Sequence, residues 1–267
     1  MTDDAATALE RLLSASRGGL TLVLLFDYDG TLVPITSHPS LAVLTSETRA
    51  LLERLASLPR VAVGVLSGRS LADVVALVGI PGLYHAGTSG MELDLRGRVV
   101  RHTKEREAAT LIARVAEQLR PVPADFAGAW IESKAAGLTV HYRNVRTDRL
   151  TELLESITLC LAPWTAQLTT VGGPMAIEVT PQDGWNKGTA VQMILDHVGR
   201  DSAFPVFIGD EANDADAFAV VSALGGASIG VGTQAPSTAS YRLRDPNAVT
   251  EFLAAVLESL EERRTKP

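Results

Sequence analysis

The chain has 267 residues, 46% of them hydrophobic and 21% charged, with a net charge of −7 at neutral pH. That length fits one large domain or two modest ones with ample core. The acidic balance argues against nucleic acid or an anionic membrane as the main partner, while leaving room for a local phosphate site. A single cysteine, Cys160, excludes an internal disulfide. It falls on the apolar side of a helical pattern, which predicts buried filler rather than a reactive thiol. No apolar run reaches membrane-spanning length. The acidic start Met1-Thr2-Asp3-Asp4 lacks the basic region of a signal peptide, so the protein is read as cytoplasmic.

The first predicted element is a strand over 20–27. Leu22-Val23-Leu24-Leu25-Phe26 has no polar alternation, which suits a strand covered on both faces of a parallel sheet. A helix follows near 45–58, with Leu51, Leu55 and Leu58 on one face and Pro59 after it. A strand over 61–66, a helix near 70–78 and a short strand near 83–85 continue the alternation, and Leu93 to Arg101 reads as a hairpin around Arg96-Gly97. Such alternation predicts βαβ units in a parallel sheet.

Near residue 104 the pattern changes. A helix near 104–119 precedes strands near 129–132 and 137–143, then a helix near 147–161 and strands near 166–171 and 175–179, an order that predicts an antiparallel α+β module. Leu138, Val140 and Tyr142 alternate with Thr139, His141 and Arg143. Met175, Ile177 and Val179 alternate likewise with Ala176 and Glu178. One face of this sheet is therefore expected to pack and the other to stay polar.

Strand–helix alternation then resumes with a helix near 186–198, a strand over 204–210, a helix near 214–222 and a strand near 227–231. A last helix is striped by Val249, Phe252, Leu253, Val256, Leu257 and Leu260, and the tail from Glu261 is expected to fray. The predicted fold class is α/β. A doubly wound, Rossmann-like parallel-sheet core in two parts, 1–103 and 181–267, is interrupted by an inserted α+β cap, 104–180.

Asp27 and Asp29 close the first strand. Ligands of open α/β sheets bind beyond the carboxyl ends of the strands. Carboxylates at i and i+2 of an extended segment point the same way and repel unless a cation or a proton lies between them. Such a pair suits an enzyme that needs a nucleophilic carboxylate, a proton-carrying carboxylate and a divalent metal. The bland readings fare worse. A calcium loop starting at Asp27 has Leu32 where glycine is needed and His38 where glutamate is needed. A hairpin at Asp29-Gly30 runs into Pro34 and Pro39. Three further groups stand at strand ends or helix starts: Ser67, Lys187 and the run Gly209-Asp210-Glu211-Ala212-Asn213-Asp214. Singly they read as a turn, a solvated lysine and a helix cap; together in one sheet they point to a phosphate site.

In this order, Asp27-Tyr28-Asp29-Gly30-Thr31, Ser67, Lys187 and Gly209-Asp210 to Asp214 resemble the four motifs of the haloacid dehalogenase superfamily, over almost the whole chain. The insertion between the second and third motifs resembles that superfamily's C2-type cap. Leu66-Ser67-Gly68-Arg69-Ser70, Ile131-Glu132-Ser133-Lys134, His141-Tyr142-Arg143, Glu178-Val179 and Asn186-Lys187-Gly188 resemble the trehalose-6-phosphate phosphatases within it. The resemblance implies Mg²⁺-dependent hydrolysis of trehalose 6-phosphate through an aspartyl-phosphate. Asp27 is the implied nucleophile and Asp29 the general acid and base. Mg²⁺ is held by Asp27, the backbone oxygen of Asp29 and Asp210, with Asp214 orienting that shell. Ser67 and Lys187 balance the phosphoryl charge, and Glu132, Lys134, Arg143 and Glu178 bind the sugar, with Arg69 assisting. Three positions depart from the pattern. Ser89 stands where histidine is expected, Thr180 where arginine is expected, and Glu211-Ala212-Asn213 replaces Asp-x-Thr. Glucosylglycerol phosphate and glucosyl-3-phosphoglycerate therefore stay open as substrates.

Rival classes fit less well. Gly230-Val231-Gly232-Thr233-Gln234-Ala235 matches a dinucleotide fingerprint formally, but Pro236 and a Ser/Thr-rich stretch follow where a helix should open. No Gly-x-x-x-x-Gly-Lys is present. A non-catalytic sugar-phosphate binding protein would be expected to lose Asp27 or Asp29, and both are present. The expected partner is a small sugar phosphate, without nucleic acid or membrane, and the chain is expected to act as a monomer.

Overall fold

The computed structural model describes residues 2–36, 38–101, 105–134, 137–172, 175–182 and 185–265. They divide into two compact units, within Met1–Val100 plus Asn186–Pro267 and within Arg101–Trp185. The chain opens with α1 (Asp3–Arg17), β1 (Thr21–Phe26), α2 (Ser46–Ser57), β2 (Val61–Leu66), α3 (Leu71–Val78), β3 (Tyr84–Gly87), β4 (Glu92–Leu95) and β5 (Arg98–Arg101). Next come α4 (Glu105–Leu119), α5 (Pro121–Ala124), β6 (Trp130–Lys134), β7 (Gly137–His141), α6 (Leu150–Leu161), β8 (Leu168–Gly172) and β9 (Ala176–Pro181). The last stretch holds α7 (Lys187–Val198), β10 (Ala203–Gly209), α8 (Ala215–Ala223), β11 (Ala227–Val231), β12 (Tyr241–Leu243) and α9 (Pro246–Thr265).

The larger sheet has the order β12-β11-β10-β1-β2-β3-β4-β5. β1 runs parallel to both β10 and β2, β11, β12 and β3 extend the parallel arrangement, and β4 turns antiparallel to β3. The strand order reverses at β1, which places a ligand crevice beyond the carboxyl ends of β1 and β10. α1, α2 and α9 pack over the face that presents Leu22, Leu24 and Phe26. α7 and α8 pack together and against β10, where Phe207 meets Phe218 edge-on with ring centres 5.7 Å apart. Truncating such a buried aromatic costs about 3–5 kcal/mol. Covered on both faces, β1 has to be apolar throughout.

Three differences from the sequence reading concern this unit. α1 was not predicted, because two alanines, Ala5 and Ala8, precede Leu12 in its buried stripe and read weakly as a hydrophobic pattern. Thr2 caps it, accepting a bond from the Ala5 N–H. β12 is only three residues long and half-buried at two of them. The tail does not fray at Glu261: α9 continues to Thr265, and Glu261 pairs with Arg54 at 2.6 Å. After β11 the chain passes through turns held by the Arg242 guanidinium, which donates to the carbonyls of Gly232, Ala235 and Pro236. No helix opens there, as expected from Pro236.

The second unit carries an antiparallel sheet in the order β6-β7-β9-β8. One face packs Leu138, Val140 and Val179 against Ile112, Val115 and Leu119 of α4 and Leu153, Ile157 and Leu161 of α6. Two expectations fail here. Met175 is exposed, lying just ahead of β9 rather than in its packed stripe, and Thr139 is buried although it belongs to the polar face. Cys160 is half-buried, its thiol donating to the Gln118 carbonyl, and burial pushes its pKa up.

His85 on β3 is buried, and neither ring nitrogen has a hydrogen-bond partner among the described residues. Burial holds its imidazole below the ordinary histidine range, with Asp94 at 3.9 Å pulling the other way. The unfolded chain, titrating near ~6.5, therefore takes up this proton first as pH falls. The group's contribution to stability is full above that value and is lost as pH drops below it. His85→Phe cannot titrate and is expected to flatten the fall in Tm between about pH 7 and 5. Parallel wild-type and variant melting curves across that window would contradict the assignment.

Candidate active site

The site is built on the ends of β1 and β10. The Asp27 N–H donates to the Ile208 carbonyl at 2.8 Å, so the β1–β10 ladder carries one residue past the strand and aims the Asp27 side chain. Tyr28 turns back into the core and donates to the Ala42 carbonyl at 3.0 Å. The chain reverses at Gly30, whose φ is +86°. A Cβ there would sit 2.1 Å from an Asp210 oxygen, so only glycine lets the loop pass this closely. Thr31 then donates to Asp210 Oδ1 at 2.9 Å.

From the other side, β10 delivers Asp210, and the following turn is locked by the Glu211 N–H donating to Asp214 Oδ2 at 2.9 Å. Lys187 opens α7, whose first turn is capped by Asn186 accepting from the Thr189 N–H. All three ammonium donors of Lys187 are engaged: Asp27 Oδ1 at 2.5 Å, Asp214 Oδ1 at 2.6 Å and Asn213 Oδ1 at 2.9 Å. Oxygens of Asp27, Asp210 and Asp214 all lie within 4.8 Å of one another, and the three residues are buried.

Ionised together, three carboxylates against one ammonium would leave two negative charges uncompensated in a site shielded from water. Burial pushes the Asp27 carboxyl up; Lys187 opposes this, and Asp214, Asp210 and Glu211 reinforce it. Asp210 is pushed up to about 8 by burial, then by Asp214 and Glu211. For Lys187, burial alone would favour the neutral amine, but Asp214 and Asp27 outweigh it and keep the ammonium charged.

Ser67 follows β2, buried, and its Oγ accepts the Arg69 N–H at 3.1 Å. Arg69 and Asp29 form a two-pronged ion pair, with Nε to Oδ2 and Nη2 to Oδ1 both at 2.6 Å. Arg69 is thus turned onto Asp29, a partner the sequence reading did not assign to it. Thr88, Ser89 and Gly90 follow β3, all three in the left-handed region. The Thr88 N–H donates to the Arg69 carbonyl, the Ser89 N–H donates to the Ser67 carbonyl, and Gly90 lies against the Asn186 carbonyl. Backbone strain of this kind is held only where surrounding structure enforces it. Ser89, where histidine was expected, therefore belongs to the turn that links Ser67 to the start of α7.

The remaining sequence-derived residues lie on the second unit. Glu132 Oε2 is 2.8 Å from His141 Nε2. Glu178 stands in register with Thr139 on β7 and Val171 on β8, and Thr180 shares its face. Arg143 is not on a strand: β7 ends at His141, the chain turns through 142–145, and Arg143 is exposed in that turn. Lys134 ends β6 by its backbone, and its side chain lies outside the described residues. Sequence reasoning assigned no role to Thr31, Asn213 or His141, although all three sit inside quoted motifs: Thr31 and His141 contact the Asp210 and Glu132 carboxylates, and Asn213 accepts from the Lys187 ammonium.

Comparisons with known proteins bear on this arrangement. The trehalose-phosphatase family model matches residues 25–247. A trehalose 6-phosphate phosphatase of Zea mays is 34% identical over 269 residues, covering 93% of this chain and 73% of the relative. The trehalose-phosphate phosphatase of Mycobacterium tuberculosis is 34% identical over 245 residues, and the match covers 89% of this chain but only 61% of that protein. Among solved structures, the C-terminal domain of the C. albicans trehalose-6-phosphate phosphatase superposes with a TM-score of 0.84. It is 23% identical and the match covers 94% of this chain and 97% of that one, a likeness of fold.

Proposed function

The chain belongs to the trehalose-phosphatase family of phosphomonoester hydrolases, and from that premise we propose that it hydrolyses trehalose 6-phosphate through a phosphorylated Asp27. The observation that carries this reading is the buried carboxylate of Asp27 at the end of β1, held by Lys187 beside Asp210 and Asp214. A carboxylate fixed in orientation and shielded from water is a competent nucleophile toward phosphorus. In the first step a bond forms between an Asp27 oxygen and phosphorus while the bond from phosphorus to the sugar oxygen breaks. Asp29 gives that oxygen its proton. In the second step water displaces the Asp27 carboxylate, Asp29 takes the water's proton, and phosphate leaves. Before the first step the Arg69–Asp29 pair has to open, and the arriving phosphate is a competing partner for the Arg69 guanidinium. Ser67 and Lys187 balance charge on the transferring group.

The acidic cluster suits a magnesium ion. Its donors are all oxygens, the set a hard divalent cation takes, and a cation bound there would replace the protons that burial favours on Asp27 and Asp210. Asp27, Asp210 and the backbone oxygen of Asp29 would hold it, with Asp214 orienting the shell. Bound there, it supplies positive charge to the phosphoryl oxygens. A carboxyl raised from an unfolded value near ~3.9 to about 8, as Asp210 is, favours the folded chain at low pH. That contribution is lost as pH rises towards the folded value. Mg²⁺ is therefore expected to raise Tm more at about pH 8 than at about pH 6, and EDTA to abolish phosphate release reversibly. A pH-independent shift in Tm, or full activity after chelation, contradicts this part of the reading.

In this reading the unit within Arg101–Trp185 acts as the specificity cap, with Glu132, Lys134, Arg143 and Glu178 recognising the sugar. Carboxylates select hydroxylated ligands directionally, because an analogue lacking the hydroxyl leaves them unsatisfied. A phosphate-release screen over trehalose 6-phosphate, glucosylglycerol phosphate and glucosyl-3-phosphoglycerate tests the substrate, with Glu178→Ala run in parallel. The variant is expected to lose about 10²-fold in kcat/KM on trehalose 6-phosphate and to hydrolyse p-nitrophenyl phosphate at the wild-type rate. Equal losses on both substrates would place Glu178 in the catalytic machinery or the fold.

A further inference from the structure

Thr139 stands on β7 between two of the sugar-binding candidates. The strand register pairs it with Glu132 on β6 and with Glu178 on β9. It is 6% exposed, and its Oγ1 has no hydrogen-bond partner among the described residues. A buried hydroxyl without a partner destabilises a fold, whereas valine, of the same shape, does not. Packing therefore gives no reason for threonine at this position; a hydroxylated ligand does. Side chains directly opposite in an antiparallel sheet have Cβ atoms about 4.5–5.5 Å apart, so a glutamate stands beside Thr139 on each side in one row. The next row holds Trp130 paired with His141. Their rings stack with centres 4.1 Å apart and planes 15° from parallel. His141 Nε2 fixes the Glu132 carboxylate at 2.8 Å, and Trp130 is 36% exposed beside it. Acceptors, a hydroxyl and an apolar ring side by side are what the two kinds of surface on a pyranose require.

We propose that Thr139 is a specificity-determining residue. Its hydroxyl, between Glu132 and Glu178, bonds to a hydroxyl of the substrate's glycosyl ring, and the Trp130–His141 pair forms the apolar wall beside that ring. Glu132 and Glu178 have unbranched side chains that can turn outward, and a sugar reaches Thr139 by engaging them. This inference rests on the glycosyl-phosphate reading above and names a further contact for it.

Thr139→Val removes the hydroxyl and keeps the shape. The variant is expected to melt at or above the wild-type Tm. It should show a KM about fivefold higher for the best glycosyl phosphate, with kcat unchanged and p-nitrophenyl phosphate hydrolysis unaltered. Thr139→Ser, which retains the hydroxyl, should restore the KM. A lower Tm with an unchanged KM would make the hydroxyl structural and overturn the proposal, as would equal losses on both substrates. If the wild type ignores trehalose 6-phosphate but another glycosyl phosphate shows the Thr139 effect, the disaccharide assignment fails and this one stands.

Discussion

The arrangement depends on one ammonium group. Asp27, Asp210 and Asp214 are delivered to a single point by two adjacent parallel strands and the turn after β10, and their mutual repulsion in a buried site is large. Lys187 bridges Asp27 and Asp214, and Asn213 Oδ1 accepts its third hydrogen bond. Removing one partner of such a buried network typically costs about 3–5 kcal/mol, because the remaining charge is left uncompensated. The glycines and small polar residues around it follow from that crowding. Gly30 and Gly209 stand where a Cβ would collide with Asp210 and Asp214, and Thr31 donates to Asp210.

Lys187 is also a junction in the chain. It is the second residue after the stretch Arg101–Trp185, and its helix start lies against Gly90 of the strained Thr88–Gly90 turn, which in turn holds the backbone of Ser67 and Arg69. The chain thus enters the inserted unit soon after this turn and returns from it directly into the lysine. The candidate site and the connection between the units share the same few residues.

Much of this was legible in the sequence, for identifiable reasons. β1, β2 and β10 are buried on both faces, so their apolar runs are unambiguous. Asp27, Ser67, Lys187 and Asp210 were recognisable because each interrupts such a run at the end of a strand or opens a helix. What stayed hidden depends on contacts between distant residues. Nothing local indicates that Arg69 pairs with Asp29, forty positions away, or that Thr139 is buried while Glu132 and Glu178 in the same row are only half-buried. Arg143 was misplaced because alternation continues in the sequence past the point where β7 turns. α1 escaped because two of the three residues in its buried stripe are alanines, which read weakly as a hydrophobic pattern.

The central claim is that Asp27 becomes covalently phosphorylated. Borohydride reduces an acyl phosphate on aspartate to homoserine, and peptide mapping locates the converted residue. Quenching a single turnover of the intact enzyme with trehalose 6-phosphate into borohydride is predicted to convert residue 27, and no other aspartate, and only when substrate is present. Turnover that leaves Asp27 unconverted, or conversion at a different carboxylate, would contradict the account.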